Sequence, residues 1–519
     1  MKIDKLHIRS PFKQLENIEI DFDEDNLMTV LVGRNGSGKS NIIEALVSIF
    51  RNLDLGESPP FSYQLIYRLG SSKELDPTSH RWFEITVDAD ISQPTKGKQY
   101  SIYCKDLFTQ TESKLSITKF QRDKNGESKF LPKHLFAYYS GTSNRLEKYF
   151  TKHRTDFYVK LLNDEIDLKG NIRPLFYAKP YHSQFVLLAF FLSDQESIER
   201  KFVLDHLGIE SLDSVHFVLR KPNWVKSKNV NELFWGARGV VRKFLDELIK
   251  HTLAPIKITR TENISETGSS ITNEFFHLFL PNIYALREFS KNLSPDELFK
   301  MLESTLLSDI ISEVSIRVKI KTSIHPVTFN ELSEGEQQLL TVLGLLRFTG
   351  GDDSLFLLDE PETHLNPAWS IQYLKFLNKF VPNPYTSQFI MITHHPLTIA
   401  ELEKQQVQVI YRDENYKVHA VEPDESPRGM GINLILRSEM FGLKTTLDEH
   451  TYRKIILRNQ IVAKDNLSTE KQVFDEKVGP ETDEECLSRL NTELEDLGFN
   501  LSSDDPDYMD FLQQKYHKE

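Results

Sequence analysis

The amino-acid sequence predicts an α/β fold: a mixed sheet flanked by helices, split by a mainly helical insertion and followed by a helical acidic tail. An alternating apolar pattern leads into a glycine-rich turn and a helix near residue 40. Two apolar runs that end in polar residues, near residues 357 and 390, are typical of parallel core strands. We place an N-terminal lobe at 1–105, the insertion at 106–312, a C-terminal lobe at 313–425 and the tail at 426–519.

The N-terminal lobe has the pattern of short strands. Three alternating segments, KIDKLHI, ENIEIDF and LMTVLVG, come first, and the third runs directly into the helical segment SNIIEALVSIF. The segments WFEITVDADI and YSIYCKD follow at the spacing of a hairpin. We expect these strands to form one half of the mixed sheet.

The middle and C-terminal parts have different patterns. Scattered prolines exclude one long coiled-coil arm over 106–312. They include Pro132, Pro174, Pro180, Pro222, Pro255 and Pro281. VSIRVKI then restores a strand, and SLFLLDEP, SQFIMITHHP and VQVIYRD are typical of further strands. After them, INLILRSEMFGL predicts a helix with Gly442 as its C-cap.

Composition limits the class of protein. With 39% hydrophobic and 27% charged residues among 519, the chain is neither disordered nor fibrous in composition. The longest apolar run, at 185–192, is too short to cross a bilayer, and the N-terminus lacks the apolar segment of a secretory signal. We therefore expect a cytoplasmic protein without membrane contact. Cys104 and Cys486 cannot form a disulfide framework or a four-thiolate metal site.

Charge is unevenly spread along the chain. Of the net charge of −13, residues 465–519 carry −11, from 16 acidic and 5 basic residues. This segment keeps apolar residues at helical spacing in LSRLNTELEDLGF and DYMDFLQQKY. Two interpretations stay open: amphipathic helices that dock a partner with a basic groove, or an acidic surface that aids solubility.

A basic stretch at 220–243, RKPNWVKSKNVNELFWGARGVVRK, interleaves cations with Trp224 and Trp235. Such a pattern occurs on surfaces that track nucleic-acid phosphates. It occurs more commonly on a solvated helix face that packs its tryptophans inward. The sequence leaves both interpretations open.

The residues most specific for a chemistry are 33–40, GRNGSGKS, which fill the P-loop pattern between a predicted strand and a predicted helix. Its glycines let successive backbone N–H groups face phosphates, and the helix N-terminus adds positive potential. Lys39 is expected to reach the β and γ oxygens of ATP, and Ser40 to ligate Mg²⁺. The candidate nucleotide-binding residues are Arg34, Asn35, Gly36, Ser37, Gly38, Lys39, Ser40 and Asn41.

Two predicted strand ends carry candidate catalytic residues. LFLLDEPETHLNP delivers Asp359 to a strand end, where it can hold Mg²⁺. Glu360 beside it can orient or deprotonate the attacking water. MITHHP ends another strand at His394, which can hydrogen-bond the γ-phosphate and report its presence. His395 is the alternative, although its place before a proline suggests a turn.

The segment NELSEGEQQLLTVLG, 330–344, predicts a helix start that binds an anion. Ser333 stands where an N-cap should, and Glu336 three residues later completes a capping box. Gly335 permits close approach of another backbone. We call 330–344 the signature segment.

In this order, the P-loop, the signature segment, the Asp359–Glu360 strand and the His394 strand resemble the ATP-binding-cassette (ABC) head of RecF- and SMC-type ATPases. The resemblance implies an ABC-type P-loop ATPase head that binds ATP and Mg²⁺. In such heads the signature closes over the nucleotide of a second subunit, which implies a homodimer or higher homo-oligomer. LSEGEQQ departs from the LSGGQ of transporters, and Asn366 stands where many relatives have Asp or His. The glutamine of the family's Q-loop is not identifiable.

A finer resemblance rests on HLFAYYSGTSNRLEKYF (134–150) and RSEMFGLKTTLDEH (437–450). These segments are similar to the ATPase subunit of Septu-type antiphage systems, PtuA, which also occurs with some retrons. The resemblance implies an ATPase subunit of a defence complex that controls or positions a separate HNH-type nuclease. DNA, or a retron-type reverse transcriptase with its msDNA, is a further implied partner. The alternative is that both segments are strand-turn and helix-cap segments of no special function.

Two other functions stay open, a RecF-like DNA-binding repair ATPase and a nuclease-toxin with an ABC-type regulatory head. The sequence shows no nuclease centre of its own. Asp505 and Asp507 have the spacing of a TOPRIM metal pair, but they lie in a strand-poor acidic segment with no Glu-Gly upstream. Asp167 and Lys169 match part of another nuclease motif and lack its upstream acid.

Overall fold

The computed structural model describes residues 1–71, 81–123, 126–163, 173–225, 232–263, 270–463 and 482–499. Two compact units divide the chain, Met1–Ile435 with Glu439–Phe441, and Leu436–Ser438 with Gly442–Glu519. The sequence interpretations of Asp167, Lys169, Asp505 and Asp507 lie outside the described residues. Within the described ranges, every helix is too short or too polar to cross a bilayer.

Both strands and helices occur through most of the chain. The strands are β1 (Lys2–Ile8), β2 (Ile18–Asp21), β3 (Met28–Val32), β4 (Tyr63–Ser71), β5 (Arg81–Ala89), β6 (Tyr100–Asp106), β7 (Thr111–Leu115), β8 (His134–Tyr139), β9 (Leu175–Tyr177), β10 (Ile209–Arg220), β11 (Ile256–Asn263), β12 (Ser270–Leu280), β13 (Ile311–Ile320), β14 (Val327–Thr328), β15 (Ser354–Asp359), β16 (Gln388–Ile392), β17 (Val407–Arg412) and β18 (Val418–Val421). The helices are α1 (Lys39–Leu55), α2 (Lys96–Gln99), α3 (Glu147–Leu162), α4 (His182–Phe190), α5 (Ile198–Asp205), α6 (Gly239–Lys250), α7 (Ile283–Phe289), α8 (Pro295–Leu307), α9 (Glu334–Thr349), α10 (Pro367–Phe380), α11 (Pro396–Ile399), α12 (Ile432–Arg437), α13 (Glu449–Val462) and α14 (Asp483–Asp496).

The central sheet explains the continuously apolar runs of the sequence. Its order is β18-β17-β3-β16-β15-β8-β9, and all neighbours are parallel except β17 and β18. Every residue of β15 is buried, and alternate residues face different cores. Phe356 and Leu358 belong to one core, and Leu355 and Leu357 to the other. A parallel sheet covered on both faces requires such strands. The predicted α/β fold class is confirmed.

The N-terminal strands form a second, antiparallel sheet with the order β2-β1-β4-β5-β6-β7. In β5, Ile85, Val87 and Ala89 are buried while their neighbours are partly exposed. The expectation that β3 shares a sheet with these strands was wrong, because β3 pairs with β16 and β17. All five residues of β3 are buried, so this strand must be covered on both faces of its sheet. The N-terminal strands such as β5 bury only alternate residues, and a strand like β3 does not suit a sheet that is covered on one face.

The span 106–312, predicted as a mainly helical insertion, contains sheet as well as helix. Strands β8 and β9 join the central sheet, and β10 to β12 form an antiparallel sheet with β13 and β14 in the order β11-β12-β10-β13-β14. Register shifts between Ile209 and Ser211 and between Leu212 and Ser214 interrupt the pairing of β10 with β13. Such irregularities break the two-residue alternation by which a strand is recognised in sequence. The span is also part of the first compact unit.

The tryptophans of the basic stretch pack against the core, Trp235 as a buried ring and Trp224 as a partly buried one. The indole N–H of Trp235 donates to Glu274 Oε2 at 3.0 Å, and the ring is buried. The indole N–H of Trp224 donates to the carbonyl oxygen of Ser308 at 2.7 Å. The Trp235 ring is therefore not available for stacking on a base, whereas the Trp224 ring is only partly buried. Of this stretch, 226–231 lie outside the described residues.

The second compact unit contains a pair of helices. Leu457 and Ile461 of α13 pack against Cys486 and Leu490 of α14. The helix predicted at INLILRSEMFGL is shorter than expected, since α12 ends at Arg437. The predicted C-cap glycine, Gly442, instead has a φ of 64° and donates its N–H to the carbonyl oxygen of residue 438 at 2.7 Å, which closes a later turn.

Candidate functional site

The P-loop connects β3 to α1, as the sequence predicts. Gly33 and Gly38 have φ values of 137° and 106°, which favour glycine. A Cβ on Gly33 would lie 2.1 Å from the carbonyl oxygen of Ile410 on β17. The loop can therefore approach the sheet only without a side chain at this position.

Lys39 folds back over the P-loop from the first turn of α1. Its Nζ donates to the carbonyl oxygens of Gly33 at 2.7 Å and Arg34 at 3.0 Å. Burial lowers the pKa of Lys39, and the negative charges of Glu360 and Asp359 oppose this shift. An ammonium group has three donors, so a third remains for an anion in the adjoining cavity.

Asp359 ends β15 and is fully buried, with neither carboxylate oxygen hydrogen-bonded to a described residue. Burial raises the pKa of Asp359 to about 6, and the Ser40 hydroxyl, close but outside hydrogen-bonding geometry, opposes the rise most. A buried carboxylate without partners is unfavourable unless a cation neutralises it. Mg²⁺ accepts carboxylate and hydroxyl oxygens together with phosphate oxygens and water. The pair Asp359 and Ser40 therefore fits Mg²⁺.

Glu360 and His394 are in direct contact where β15 and β16 end. The two strands are parallel with Asp359 opposite Ile392, so their carboxyl ends meet. His394 Nε2 contacts Glu360 Oε1, and this contact is the main cause that lowers the pKa of Glu360. Glu360 has a φ of 53°, which is unfavourable for a side chain of its size. An ionised carboxylate in this position can accept a proton from water.

His395 is placed differently from His394. The backbone N–H of His395 donates to Thr393 Oγ1 at 2.8 Å, and its ring does not line the cavity that His394 lines. The Thr393 hydroxyl donates to Glu362, whose burial raises its pKa to about 7. Of the two histidines, His394 is the one that faces the P-loop. Sequence reasoning missed Glu362, because nothing in its neighbours indicates that the carboxyl is buried.

A cavity of about 410 Å³ connects the P-loop with the strand ends. Its lining residues are Gln14, Asn35, Gly36, Gly38, Lys39, Ser40, Asn41, Arg145, Glu360 and His394. Arg34 and Ser37, also predicted to contact nucleotide, do not line it, and Ser37 is buried. Another cavity, of about 430 Å³ and lined by residues such as Glu24 and Trp82, contains no P-loop residue, so size alone does not select the site.

Arg145 and Gln14 line the cavity and were not predicted. Arg145 comes from the loop between β8 and α3, which begins where the N–H of Ser140 donates to the carbonyl oxygen of Asp359 at 3.2 Å. In the sequence, Arg145 is only an arginine shortly after a predicted strand. Nothing in that pattern indicates that this strand, β8, lies next to β15 in the central sheet, which is what brings Arg145 to the cavity. No glutamine occurs in this loop, 140–146.

The start of α9 has the predicted capping box. Ser333 Oγ accepts from the N–H of Glu336 at 3.3 Å, and Glu336 Oε2 accepts from the N–H of Ser333 at 2.7 Å. A Cβ on Gly335 would lie 2.6 Å from the carbonyl oxygen of His364. Ser333, Gly335 and Glu336 are absent from the lining of the P-loop cavity. The structure thus brings together the P-loop, Asp359, Glu360 and His394, but leaves the signature segment outside.

A family model described as "AAA domain, putative AbiEii toxin, Type IV TA system" matches residues 28–400. "Septu protein PtuA" of Bacillus mycoides (strain KBAB4) is 26% identical over 200 residues, which cover 36% of this chain and 28% of that protein. "Retron Vc95 probable ATPase" of Vibrio cholerae serotype O1 biovar El Tor is 21% identical over 442 residues, 80% of this chain and 75% of that protein. The match therefore spans less than a third of the length of the Septu relative.

Among solved structures, one described as "Crystal structure of the SmcHead bound to the C-winged helix domain of ScpA" has a TM-score of 0.27 and 14% identity. The alignment covers 81% of this chain and 97% of that one. At this TM-score the likeness carries no argument about fold or function.

Proposed function

This chain belongs to the family described as "AAA domain, putative AbiEii toxin, Type IV TA system", and from that premise we propose that it is the ATP-hydrolysing subunit of an antiphage defence complex. In this proposal it controls or positions a separate HNH-type nuclease. The observation that carries the proposal is the convergence of Lys39, Glu360 and His394 on one cavity, with Asp359 buried behind it. The names of the Septu and retron relatives support the setting in antiphage defence.

The chemistry of the proposed site is hydrolysis of the terminal phosphoanhydride bond of ATP. Lys39 binds β and γ oxygens, and the P-loop amides orient the phosphates. Glu360 accepts a proton from water while the water oxygen bonds to the γ-phosphorus and the bond to the ADP oxygen breaks. His394 hydrogen-bonds the γ-phosphate. Mg²⁺ held by Asp359 and Ser40 would neutralise phosphate charge.

A second copy of the chain completes the site in this proposal. Ser333 is exposed at the start of α9, and the three predicted anion-binding residues of this segment do not reach the chain's own P-loop cavity. A helix start of this kind offers free N–H groups and positive potential to an anion. A homodimer, or a higher homo-oligomer, would let each signature segment close over the partner's nucleotide.

Mixing two inactive variants tests the shared site. Lys39→Ala removes the P-loop cation, and Ser333→Arg blocks the signature segment, so each variant alone has no intact site. A mixed dimer regains one intact site of two. Because half of randomly formed dimers are mixed, we expect about a quarter of wild-type ATPase activity on mixing. No recovery, in a mixture shown to exchange subunits by mass spectrometry, would contradict the shared site.

The partner proposal extends to an HNH-type nuclease, and to DNA or a retron-type reverse transcriptase with its msDNA. Purification from the native host followed by identification of co-purifying proteins and nucleic acid tests it. We expect a nuclease subunit in stoichiometric amount. ATP-dependent binding of duplex DNA with no protein partner would favour the RecF-like repair function instead.

The family description names a toxin, and this observation favours a second candidate, a nuclease-toxin with an ABC-type regulatory head. The two candidates differ in what the isolated chain does. A toxin of this kind would cleave RNA without another protein. Incubating the purified chain with tRNA and Mg²⁺, with and without ATP, separates them, because the defence-subunit proposal requires a nuclease partner for cleavage.

A further inference from the structure

Glu44, a fully buried carboxylate on α1, faces more positive charge than it needs. Lys13 contacts it directly, and Arg145 Nη2 and Lys148 Nζ lie 3.2 Å and 3.3 Å from its oxygens. The hydroxyl of Tyr149 also donates to it, at 2.8 Å. Three cations thus surround one carboxylate, one turn of helix beyond the P-loop. This arrangement places more positive charge near the P-loop than Glu44 alone balances, which favours an anion in the adjoining cavity.

Of these three cations, Arg145 is the one that lines the P-loop cavity. Its Nη2 also donates to Asn41 Oδ1 at 2.6 Å, which holds the guanidinium against the start of α1. Its Nη1 makes no hydrogen bond with any residue in the described ranges, and the side chain is 27% exposed. The group therefore has free donors at the cavity while one edge is anchored.

We propose that Arg145 is a ligand of the terminal phosphate of ATP, and that its guanidinium exchanges Glu44 for that phosphate when ATP binds. The inference rests on the proposed function, since the terminal phosphate must lie near Glu360 if that carboxylate is to reach the attacking water. A guanidinium suits this exchange because its planar fork binds two phosphate oxygens at once.

The exchange does not leave Glu44 as an unpaired buried charge. Lys13 and Lys148 still neutralise it, and the Tyr149 hydroxyl still donates to it. A buried carboxylate that lost its sole cation would oppose the movement strongly. Here the surplus of cations lets Arg145 move to the phosphate at low cost.

The exchange gives α3 a means of responding to the state of the nucleotide. Arg145 lies two residues before α3 begins at Glu147. Further along, α3 is tied to α1 by His153 and Asp54, at 2.5 Å, and to the segment that follows α1 by Lys152 and Glu57, at 2.9 Å. ADP lacks the terminal phosphate, so it cannot draw Arg145 from Glu44. The first turn of α3 should therefore differ between the ATP-bound and ADP-bound protein.

Binding measurements test the role of Arg145 directly. In a Glu360→Gln background, which keeps ATP intact, calorimetry with Mg²⁺ gives the affinities for ATP and for ADP. We expect Arg145→Ala to weaken ATP binding by about tenfold or more and ADP binding by less than about threefold. Arg145→Lys should fall between, since it keeps the charge and loses the fork. Lys160→Ala, which removes an exposed cation of the same helix that does not contact Glu44, is the matched control and should leave both affinities unchanged.

Hydrogen exchange gives a second readout that is independent of affinity. In the parent protein, amides at 147–152 should exchange differently with saturating ATP and with saturating ADP, and Arg145→Ala should remove this difference. Equal weakening of ATP and ADP binding, or equal effects of Arg145→Ala and Lys160→Ala, would overturn the inference. If Arg145→Ala fails to fold, an unchanged ratio of ATP to ADP affinity in Arg145→Lys overturns it.

Measuring ATP binding by Lys39→Ala distinguishes failure of this inference from failure of the proposed function. Loss of ATP binding in Lys39→Ala, with no effect of the Arg145 variants, would overturn the role of Arg145 alone. Full ATP binding in Lys39→Ala would overturn the proposed nucleotide site as a whole.

Discussion

Asp359 and Glu360 are adjacent residues with the same chemistry and opposite environments. Burial raises the pKa of Asp359 to about 6, whereas contact with His394 lowers the pKa of Glu360. A bound cation would therefore stabilise the ionised form of Asp359 most, whereas Glu360 stays ionised and able to accept a proton. Two carboxyl groups separated in this way suit different roles in one reaction.

Glu360→Gln is expected to keep ATP binding and to slow hydrolysis by about a hundredfold or more, since an amide cannot accept the proton of water. Single-turnover hydrolysis with bound ATP measures the chemical step alone. Lys39→Ala is the paired variant and should instead abolish ATP binding by calorimetry, because it removes the cation that faces the phosphates. Hydrolysis at the wild-type rate in Glu360→Gln would remove Glu360 from the mechanism.

The start of α9 is joined to two elements that end beside the cavity. The side chain of Gln338 accepts from the N–H of His364 at 3.2 Å and donates to the hydroxyl of Tyr138 on β8 at 3.1 Å. Gly335 lies against the carbonyl oxygen of the same residue, His364. The signature segment is thus packed against the loop that follows Glu360, so we expect a movement of one to displace the other.

Gly335→Ala is expected to destabilise the protein by about 1–3 kcal/mol, because a Cβ only 2.6 Å from a backbone oxygen forces the helix away. Alanine has the higher helix propensity by about 1 kcal/mol, which reduces the net effect without reversing it. Gly97→Ala in α2 is the control, since its Cβ would meet no atom within 4 Å. Urea unfolding compares the two variants. Equal stability of both would contradict the close contact.

The molecule as a whole assembles its cavity from three distant parts of the chain. The P-loop follows β3, Glu360 and His394 follow β15 and β16, and Arg145 follows β8. These four strands are consecutive neighbours in the central sheet and run parallel, so their carboxyl ends meet at one edge. Open parallel sheets commonly bind ligands at this edge.

We expect the acidic tail to hold the nuclease of the proposed complex. Most of it, including the truncation point after Lys464, lies outside the described residues, but α14 is described and packs on α13. Truncation after Lys464 should leave ATP binding intact and weaken the partner complex, with a loss of its salt dependence. Unchanged affinity of the truncated protein for its nuclease across salt concentrations would exclude the tail as the dock.

A charge variant is the matched control for this truncation, since removing α14 also exposes Leu457 and Ile461. Glu484, Glu495 and Asp496 are exposed on α14, and replacing them by amides lowers the charge without removing the helix. Weaker binding in both variants would assign the effect to charge. Weaker binding in the truncation alone would assign it to the lost helix.

The α/β fold class, the place of the P-loop between a strand and a helix, and the positions of Asp359 and Glu360 at the end of a buried strand could be predicted from the sequence. Each depends on residues close together in the chain, namely a glycine pattern between a strand and a helix, or carboxylates at the end of an apolar run. The separation of β3 from its neighbouring hairpins, the cation cluster around Glu44 and the place of Arg145 could not be predicted. They depend on which strands become neighbours in the sheet. The order of the strands brings together side chains about a hundred or more positions apart, such as Glu44 on α1 and Arg145 in the loop after β8. Periodicity and motif spacing describe only residues close together in the chain. Contacts between distant residues are decided by how the helices and strands pack in the two cores on either side of the central sheet.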